Sequence, residues 1–540
     1  MQIDTENLSM KEIILDHPNN KGVDLYYSHQ DYWAQKAIQL APKMIYGQVS
    51  PIAQIECEKD STVWQGIKIH KIASAKDALG KWFHCKTFRF DFGQHLVGRI
   101  KLELEIDQPN DSPIRIVCKF AEVPYELATN FSTYHGHLDR SWLQKEVRTF
   151  DILPKVIQLK RRFAFRYLEI QAGAPNYKTR IKAISVTTES SANLTLPAPE
   201  TLTAREHLID KVAVATLHDC MQSVFEDGPK RDRRLWLGDL WLQAKVNACT
   251  FQNFKLMERC LYLFCSIADA DGFIPGSMFL HDQKSSASCY VITYALLLGP
   301  ILQDHFAFCK KDEICRELLP VVLRQQEIIR SHIDSKGVLH CASNWWLFID
   351  HNRAVLKTET ATLGIYIFSL RKTAVLIREL GLGGAEELIE EAEHLSALIR
   401  NRAWDAEQQL MLSDGPEKQV SWATQAWLIL AKVPTPDQAL AMWKAAWRST
   451  KIIEPKTPYL WSTVMEAGYQ LGQYAKVRSF INEYWGGMVD RGADTFWEVY
   501  SPKDPFFSSY GDPLMNSACH AWSCIPSYFL RSSYINRSDS

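Results

Sequence analysis

The spacing of apolar residues changes near residue 195, and a chain with two spacings must fold as two differently built halves. Before the change, Ile100, Leu102, Leu104 and Ile106 alternate with charged neighbours, the period of two that a half-buried strand imposes. Ile114, Ile116, Cys118 and Phe120 repeat it after the Asp107–Ser112 turn cluster, and Phe163, Phe165, Tyr167 and Leu168–Ile170 form another β-rich run. Short strands parted by Pro, Gly, Asn and Asp predict an antiparallel β-sandwich domain over residues 1–195. The small, polar, Pro-bearing stretch Ser190–Pro199 reads as a linker. Beyond it the period is helical. Leu363, Ile367, Leu370, Ala374 and Ile377 share one face, and Gly381 follows where such a helix would stop. Similar stripes through 205–225, 240–268, 288–307, 386–401, 420–432, 437–448 and 459–485 predict an all-α domain over residues 200–535. At 540 residues the chain exceeds what one core usually organises, which agrees with two domains.

Charge removes two function classes. The 61 Lys and Arg nearly cancel the 62 Asp and Glu, so no basic surplus recommends nucleic acid or an anionic membrane as a partner. No uncharged apolar run approaches the ~18 residues of a spanning helix. The first twenty residues are polar and lack an apolar leader core, and the 13 cysteines include no CxxC pair. Free thiols in a cytoplasmic protein are expected, unless a leader has been removed. His281-Asp282 and the other histidines lack metal-ligand spacing, so neither a metal nor a cofactor is expected. With 17 Trp, core filling is the commoner expectation and sugar stacking the sharper one.

The densest chemistry lies between Phe225 and Asp239. Four carboxylates (Glu226, Asp227, Asp232, Asp239) and four cations (Lys230, Arg231, Arg233, Arg234) share 15 positions with Trp236. Gly228-Pro229 breaks any helix there, and Gly238 permits close backbone approach. A salt-bridged loop is the plain reading. Fixed acceptors beside an aromatic plate are also what a polyol needs. Three further stretches pair aromatics with titratable groups: Trp345-Trp346 with Asp350-His351, Trp497 with Glu498, and His520 with Trp522.

These stretches together resemble the family 78 glycoside hydrolases, the α-L-rhamnosidases, nearly end to end. Phe90–Arg99 (FDFGQHLVGR), Phe120-Ala-Glu-Val and Arg162–Tyr167 resemble strands of that family's N-terminal β-sandwich. Asp227–Asp232 resembles its DCPQRDERLGWTGD loop, and Trp345–Asp350, Thr495–Glu498 and His520–Trp522 resemble later segments of its (α/α)6 barrel. The family's further β-domain has no counterpart before Ser540. The resemblance implies an inverting hydrolase that releases terminal α-L-rhamnose, or a related deoxy sugar, from small glycosides or oligosaccharides. It makes Glu498 the general base. The acid loop here, RDRRLWLGD, is one residue shorter than the family's. A gap before Asp232 makes that residue the acid and keeps Trp236 and Asp239 in register, whereas a gap after Leu235 puts Arg233 there, which cannot donate a proton at neutral pH. The first placement is preferred. It requires Asp232 to point away from the arginines, with those paired to Asp227, Glu226 or Asp239. Asp227, Arg231, Trp236, Asp239, Trp346, Asp350, Trp497 and His520 are then the expected sugar contacts. Two alternatives accompany this reading: a lyase of rhamnosyl-uronates on the same barrel, and a non-catalytic sugar-binding protein with Arg233 at the acid position. A homodimer is compatible with the resemblance, and no residue specifies it.

Overall fold

The computed structural model describes residues 30–535 except 110, 174–176, 193–194, 281–283, 287–289 and 416. The polar N-terminal twenty residues and His281-Asp282 therefore lie outside the described residues.

The first half is an antiparallel sheet. Its ten strands are β1 (Ile45–Val49), β2 (Ala53–Lys59), β3 (Ile67–Ser74), β4 (Trp82–Phe83), β5 (Lys86–Ile106), β6 (Ile114–Ala121), β7 (Lys145–Phe150), β8 (Val156–Gln158), β9 (Phe163–Ala172) and β10 (Thr179–Ser190). The main order is β1-β10-β5-β9-β6-β7, with β2, β4 and β8 pairing at its sides and β3 on β2. The alternation read from the sequence is real: Ile100, Leu102, Leu104, Ile114, Ile116, Cys118 and Phe120 are all buried. Phe120 stacks on Phe163 at 3.8 Å between ring centres. The β5–β9 register breaks between Asp91 and Leu96, and such a break re-aims the side chains within it. One of these is His95, whose Nδ1 lies 2.6 Å from Asp219 in the helical half and whose Nε2 lies 3.1 Å from Glu122.

The second half is helical. A Thr203/Glu206 capping box starts the Ala204–Cys220 helix, satisfying backbone donors that would otherwise be orphaned. Packing then runs in a closed circuit. Leu237–Cys249 touches Leu298–Cys309, which touches Glu359–Glu379, then Trp422–Leu430, then Pro458–Gln470; the turn Ala521–Cys524 returns the contacts to Leu237–Cys249. The predicted face of Glu359–Glu379 is buried, and Gly381, at φ 67°, follows its end. Four helical stretches differ from expectation. The 205–225 stripe stops at Cys220, while 240–268, 288–307 and 459–485 are each two helices, broken near Gln252, Leu296 and Gly472. Asp312–Arg330, which carries Pro320 inside it, had not been anticipated. Two stretches, Ile292–Cys309 and Glu359–Glu379, are long and apolar enough to cross a bilayer, but 78% and 83% of them are buried against neighbours, as in core helices.

Tryptophans occur both in the core and on a cavity wall. Trp241 stacks on Trp427 at 5.4 Å in the core, whereas Trp142, Trp236, Trp346 and Trp522 line a cavity. All described cysteines are free. His95, Asp219 and Cys519 form a group whose ligand atoms lie within 4.8 Å of one another. Both His95 nitrogens are already engaged by carboxylates, so the group is satisfied as it stands.

Candidate active site

The carboxylate-rich loop folds around Asp227. Its Oδ1 accepts from the Arg234 N–H at 3.0 Å and its Oδ2 from that of Asp232 at 3.4 Å, while its carbonyl accepts from the Ala521 N–H at 2.7 Å. The short loop is thereby closed and tied to the segment carrying His520. Gly228 is required, since a Cβ there would sit 2.8 Å from the Arg231 carbonyl oxygen.

The cations of the loop do not pair as expected. Arg162 of the sheet takes Glu226, with contacts at 2.8 and 2.6 Å. Lys230 is held by Glu126 at 2.5 Å and by the carbonyls of Leu514 and Asn516. Arg233 donates to the carbonyls of Pro229 and Arg162. Arg231 reaches across to Glu498. Lys230 and Arg231 thus find partners on other segments, but Arg231 and Arg234 also lie 3.8 and 3.9 Å from Asp232, so that carboxylate does not point away from the arginines as expected.

These turns leave a cavity of about 250 Å³. Asp227, Arg231, Asp232, Trp236, Asp239, Trp346, Glu498 and His520 all line it. Arg233 does not. Its side chain lies in a second space behind the loop, so Asp232 is the residue that shares the cavity with Glu498. Two expected contacts are corrected. Asp350 is absent from the wall; its oxygens accept from the backbone N–H groups of Lys456 and Thr457 and from the Thr457 hydroxyl, pinning one loop to a helix start. Trp497 points the other way, stacking on Trp64 at 5.7 Å. Residues not anticipated fill the remaining wall, among them Trp142, Tyr294, Phe348, His351 and Tyr510.

Glu498 is held from several sides. Arg231 Nη2 donates to its Oε2 at 2.5 Å, the Ser517 N–H to the same oxygen at 3.0 Å, and the Tyr510 hydroxyl to Oε1 at 2.5 Å. The Arg231 guanidinium lies 4.2 Å from the centre of the Tyr510 ring, a cation–π contact that fixes both groups. Burial opposes ionisation of Glu498, but Arg231, the two nearby histidines and the Tyr510 hydrogen bond outweigh it and bring its pKa down to about 2. Arg231 Nη1 also lies 3.8 Å from Asp232 Oδ1. Its two nitrogens share one carbon, with C–N bonds of about 1.33 Å, so these contacts keep an Asp232 oxygen within ~9 Å of a Glu498 oxygen.

The other carboxyl groups of the cavity are biased toward their protonated forms. Burial, and then the charge of Asp232, push Asp227 well above the usual carboxylate range. Asp239, in the first turn of Leu237–Cys249, is pushed up by burial and then by Asp227 and Glu498. Its Oδ1 lies 3.5 Å from His520 Nδ1, and neither atom has a hydrogen-bond partner among the described residues. Burial and Arg231 lower His520 to about 3 and His351 to about 4, so both imidazoles are neutral at pH 7. Aromatic rings close the rest. Trp236 stands edge-on to Tyr294 and Trp346, and Phe348 stacks on Trp522 at 6.2 Å. Gly238 makes room for Tyr294, whose ring carbon would lie 2.1 Å from an added Cβ.

The glycosyl hydrolase family 78 alpha-rhamnosidase N-terminal domain matches residues 51–188. Among solved structures, a rhamnosidase from Klebsiella oxytoca with rhamnose bound is 35% identical, covering 93% of this chain and 98% of its own, with a TM-score of 0.90. The family 78 rhamnosidase of Bacillus sp. GL1 is 21% identical over 86% of this chain and 49% of its own, at a TM-score of 0.72. An α-L-rhamnosidase of Streptomyces avermitilis, complexed with L-rhamnose, is 15% identical over 91% and 44%, at 0.64. The last two likenesses speak for the fold alone. No curated protein matches the chain in sequence.

Proposed function

Since the chain belongs to the family 78 glycoside hydrolases and is a glycosidase of the rhamnose-releasing kind, we propose that it hydrolyses terminal α-L-rhamnosides of small glycosides or oligosaccharides with inversion, in the cavity between Asp232 and Glu498. One observation carries this reading: the two carboxylates line one cavity and touch the same guanidinium. Inverting hydrolysis needs its acid and base about 6.5–9.5 Å apart, with room for a water on the base side, and the ~9 Å ceiling set through Arg231 is compatible with that span.

In this mechanism Asp232 gives a proton to the departing oxygen as the C–O bond breaks. Glu498 takes a proton from the water that attacks the opposite face of C1. Its depressed pKa keeps it ionised, and Arg231, Ser517 and Tyr510 hold it in one place. Asp239 and His520 face each other at 3.5 Å, and both residues line the cavity, where sugar hydroxyls would meet their remaining polar atoms. Trp236 offers an apolar face to the C6 methyl, which contributes roughly 1–3 kcal/mol of discrimination. The helical circuit is read as the (α/α)6 barrel of a domain spanning 200–535, and the sheet as the sandwich of 1–195. The free thiols favour a cytoplasmic setting. The test is turnover of 4-nitrophenyl α-L-rhamnoside: the native chain releases L-rhamnose and Glu498→Gln does not. Full activity in that variant would remove Glu498 from the base role.

A further inference from the structure

The second space behind the acid loop is the larger of the two. It measures about 960 Å³ and meets the catalytic cavity at Trp142, Asp232 and Arg234, which line both. If Asp232 is the general acid, its position gives the pair of spaces a direction. An acid sits beside the leaving-group oxygen, whereas the base stands on the opposite face of the sugar. The aglycone must therefore leave the catalytic cavity past Asp232, which is where the second space opens. Trp142, partly exposed at the junction, offers a ring against which a second sugar can stack.

The walls of this space are cationic. Seven Lys and Arg residues line it against three carboxylates. Some of the charge is neutralised within the protein, since Arg99 pairs with Glu189 and Arg162 with Glu226. A remainder is not. The Lys160 ammonium is exposed and has no partner among the described residues, although its carbonyl accepts from Arg99. Arg161 is a third exposed and has only a loose ion pair, to Glu146 at 3.7 Å. Arg233 is held by carbonyl oxygens alone, and burial, then the charge of Arg162, lowers its pKa to about 9. A neutral aglycone would leave this excess uncompensated.

We propose that the space around Lys160, Arg161 and Arg233 is an aglycone subsite for an anionic sugar, so that the favoured substrates carry rhamnose on a uronate or a sulfated residue. This rests on the hydrolase reading above, with Asp232 as the acid, and deepens it by naming the leaving group. Guanidinium and ammonium groups recognise carboxylate and sulfate oxygens alike, so both sources of charge belong to the test. Salt weakens such recognition where the cations are exposed.

The experiment compares kcat/KM for α-L-rhamnosyl-(1→4)-D-glucuronate, its neutral methyl ester and α-L-rhamnosyl-(1→4)-D-glucose 6-sulfate, with 4-nitrophenyl α-L-rhamnoside as reference. At low salt an anionic substrate should exceed the methyl ester by roughly tenfold, with the gap narrowing at 0.5 M NaCl. The larger of the two anionic values identifies carboxylate or sulfate as the natural charge. Lys160→Glu should collapse the anionic-to-neutral ratio, measured against the reference substrate so that a folding loss is not mistaken for lost recognition. Equal values for acid, sulfate and ester would overturn the subsite while leaving the hydrolase intact. Failure on the nitrophenyl rhamnoside as well would instead overturn the hydrolase reading.

Discussion

Glu498 and the pair Asp227 and Asp239 line one cavity, and all three are almost fully buried, yet their protons behave in opposite ways. Burial alone would push every one of them toward the neutral acid. Glu498 faces a guanidinium and is brought down to about 2, whereas Asp227 and Asp239 face other carboxylates and are pushed well up. Burial sets the upward direction for Asp227 and Asp239, and the guanidinium beside Glu498 reverses it there. Glu498 is therefore a fixed anion suited to activating water, while Asp227 and Asp239 can offer O–H donors to a sugar.

The contrast can be broken most severely at the two proposed catalytic groups. Glu498→Gln should lower kcat/KM by about a thousandfold, and equally for good and poor leaving groups, because water activation precedes no particular leaving group. Asp232→Asn should cost about a hundredfold on a rhamnosyl disaccharide but far less on 2,4-dinitrophenyl α-L-rhamnoside, whose phenolate departs without a proton. Steady-state kinetics on the two substrates checks both. Equal losses for Asp232→Asn would deny it the acid role.

Arg231→Gln tests the cause of the asymmetry. Without the guanidinium, burial is opposed only by the nearby histidines and the Tyr510 hydrogen bond, and the Glu498 pKa climbs from about 2 toward its ordinary value, moving the acidic limb of the kcat/KM profile up by roughly two units. In the native chain this depressed pKa stabilises the fold above about pH 4.5, and the contribution is lost as pH falls toward 2. The variant loses that term, leaves a buried carboxylate unpaired, and should lose about 3–5 kcal/mol at pH 7 by urea unfolding.

Asp239→Asn is the mildest change. Because the native pKa lies above its unfolded value, the native state holds the extra proton, and stability falls as pH rises from about 4. Asparagine removes that penalty and resembles the protonated acid in shape. The variant should keep activity within about tenfold of native and show its largest gain in Tm above neutral pH. An unchanged pH dependence of Tm would mean that Asp239 is ionised in the fold.

Much of this site could be read from residues in sequence. Asp227, Arg231, Asp232, Trp236 and Asp239 stood out in a charge-dense loop, Glu498 and His520 through their resemblance to family motifs, and all of these line the cavity. Neighbours in sequence were misjudged for a geometric reason. Trp497 stacks on Trp64 while its neighbour Glu498 lines the cavity, so adjacency in sequence did not carry over to a shared face. Bends at Ile349 and His351 turn Asp350 into a loop anchor and bring His351 to the wall. Trp142 and Tyr510 carried no local signal. Their place is set by contacts across hundreds of residues, such as the His137 N–H on the Tyr510 carbonyl at 2.8 Å. The sheet strands were plain because alternation survives in one buried face, while Asp312–Arg330 was obscured by Pro320.

The central claim is that a water activated by Glu498 attacks the face of the sugar opposite to the bond that Asp232 protonates. Proton NMR of the first turnover of 4-nitrophenyl α-L-rhamnoside observes this directly. The account predicts that β-L-rhamnose appears first and then mutarotates toward equilibrium. Initial appearance of α-L-rhamnose would contradict it, since that outcome requires a covalent or double-displacement route that this pair of carboxylates was not assigned.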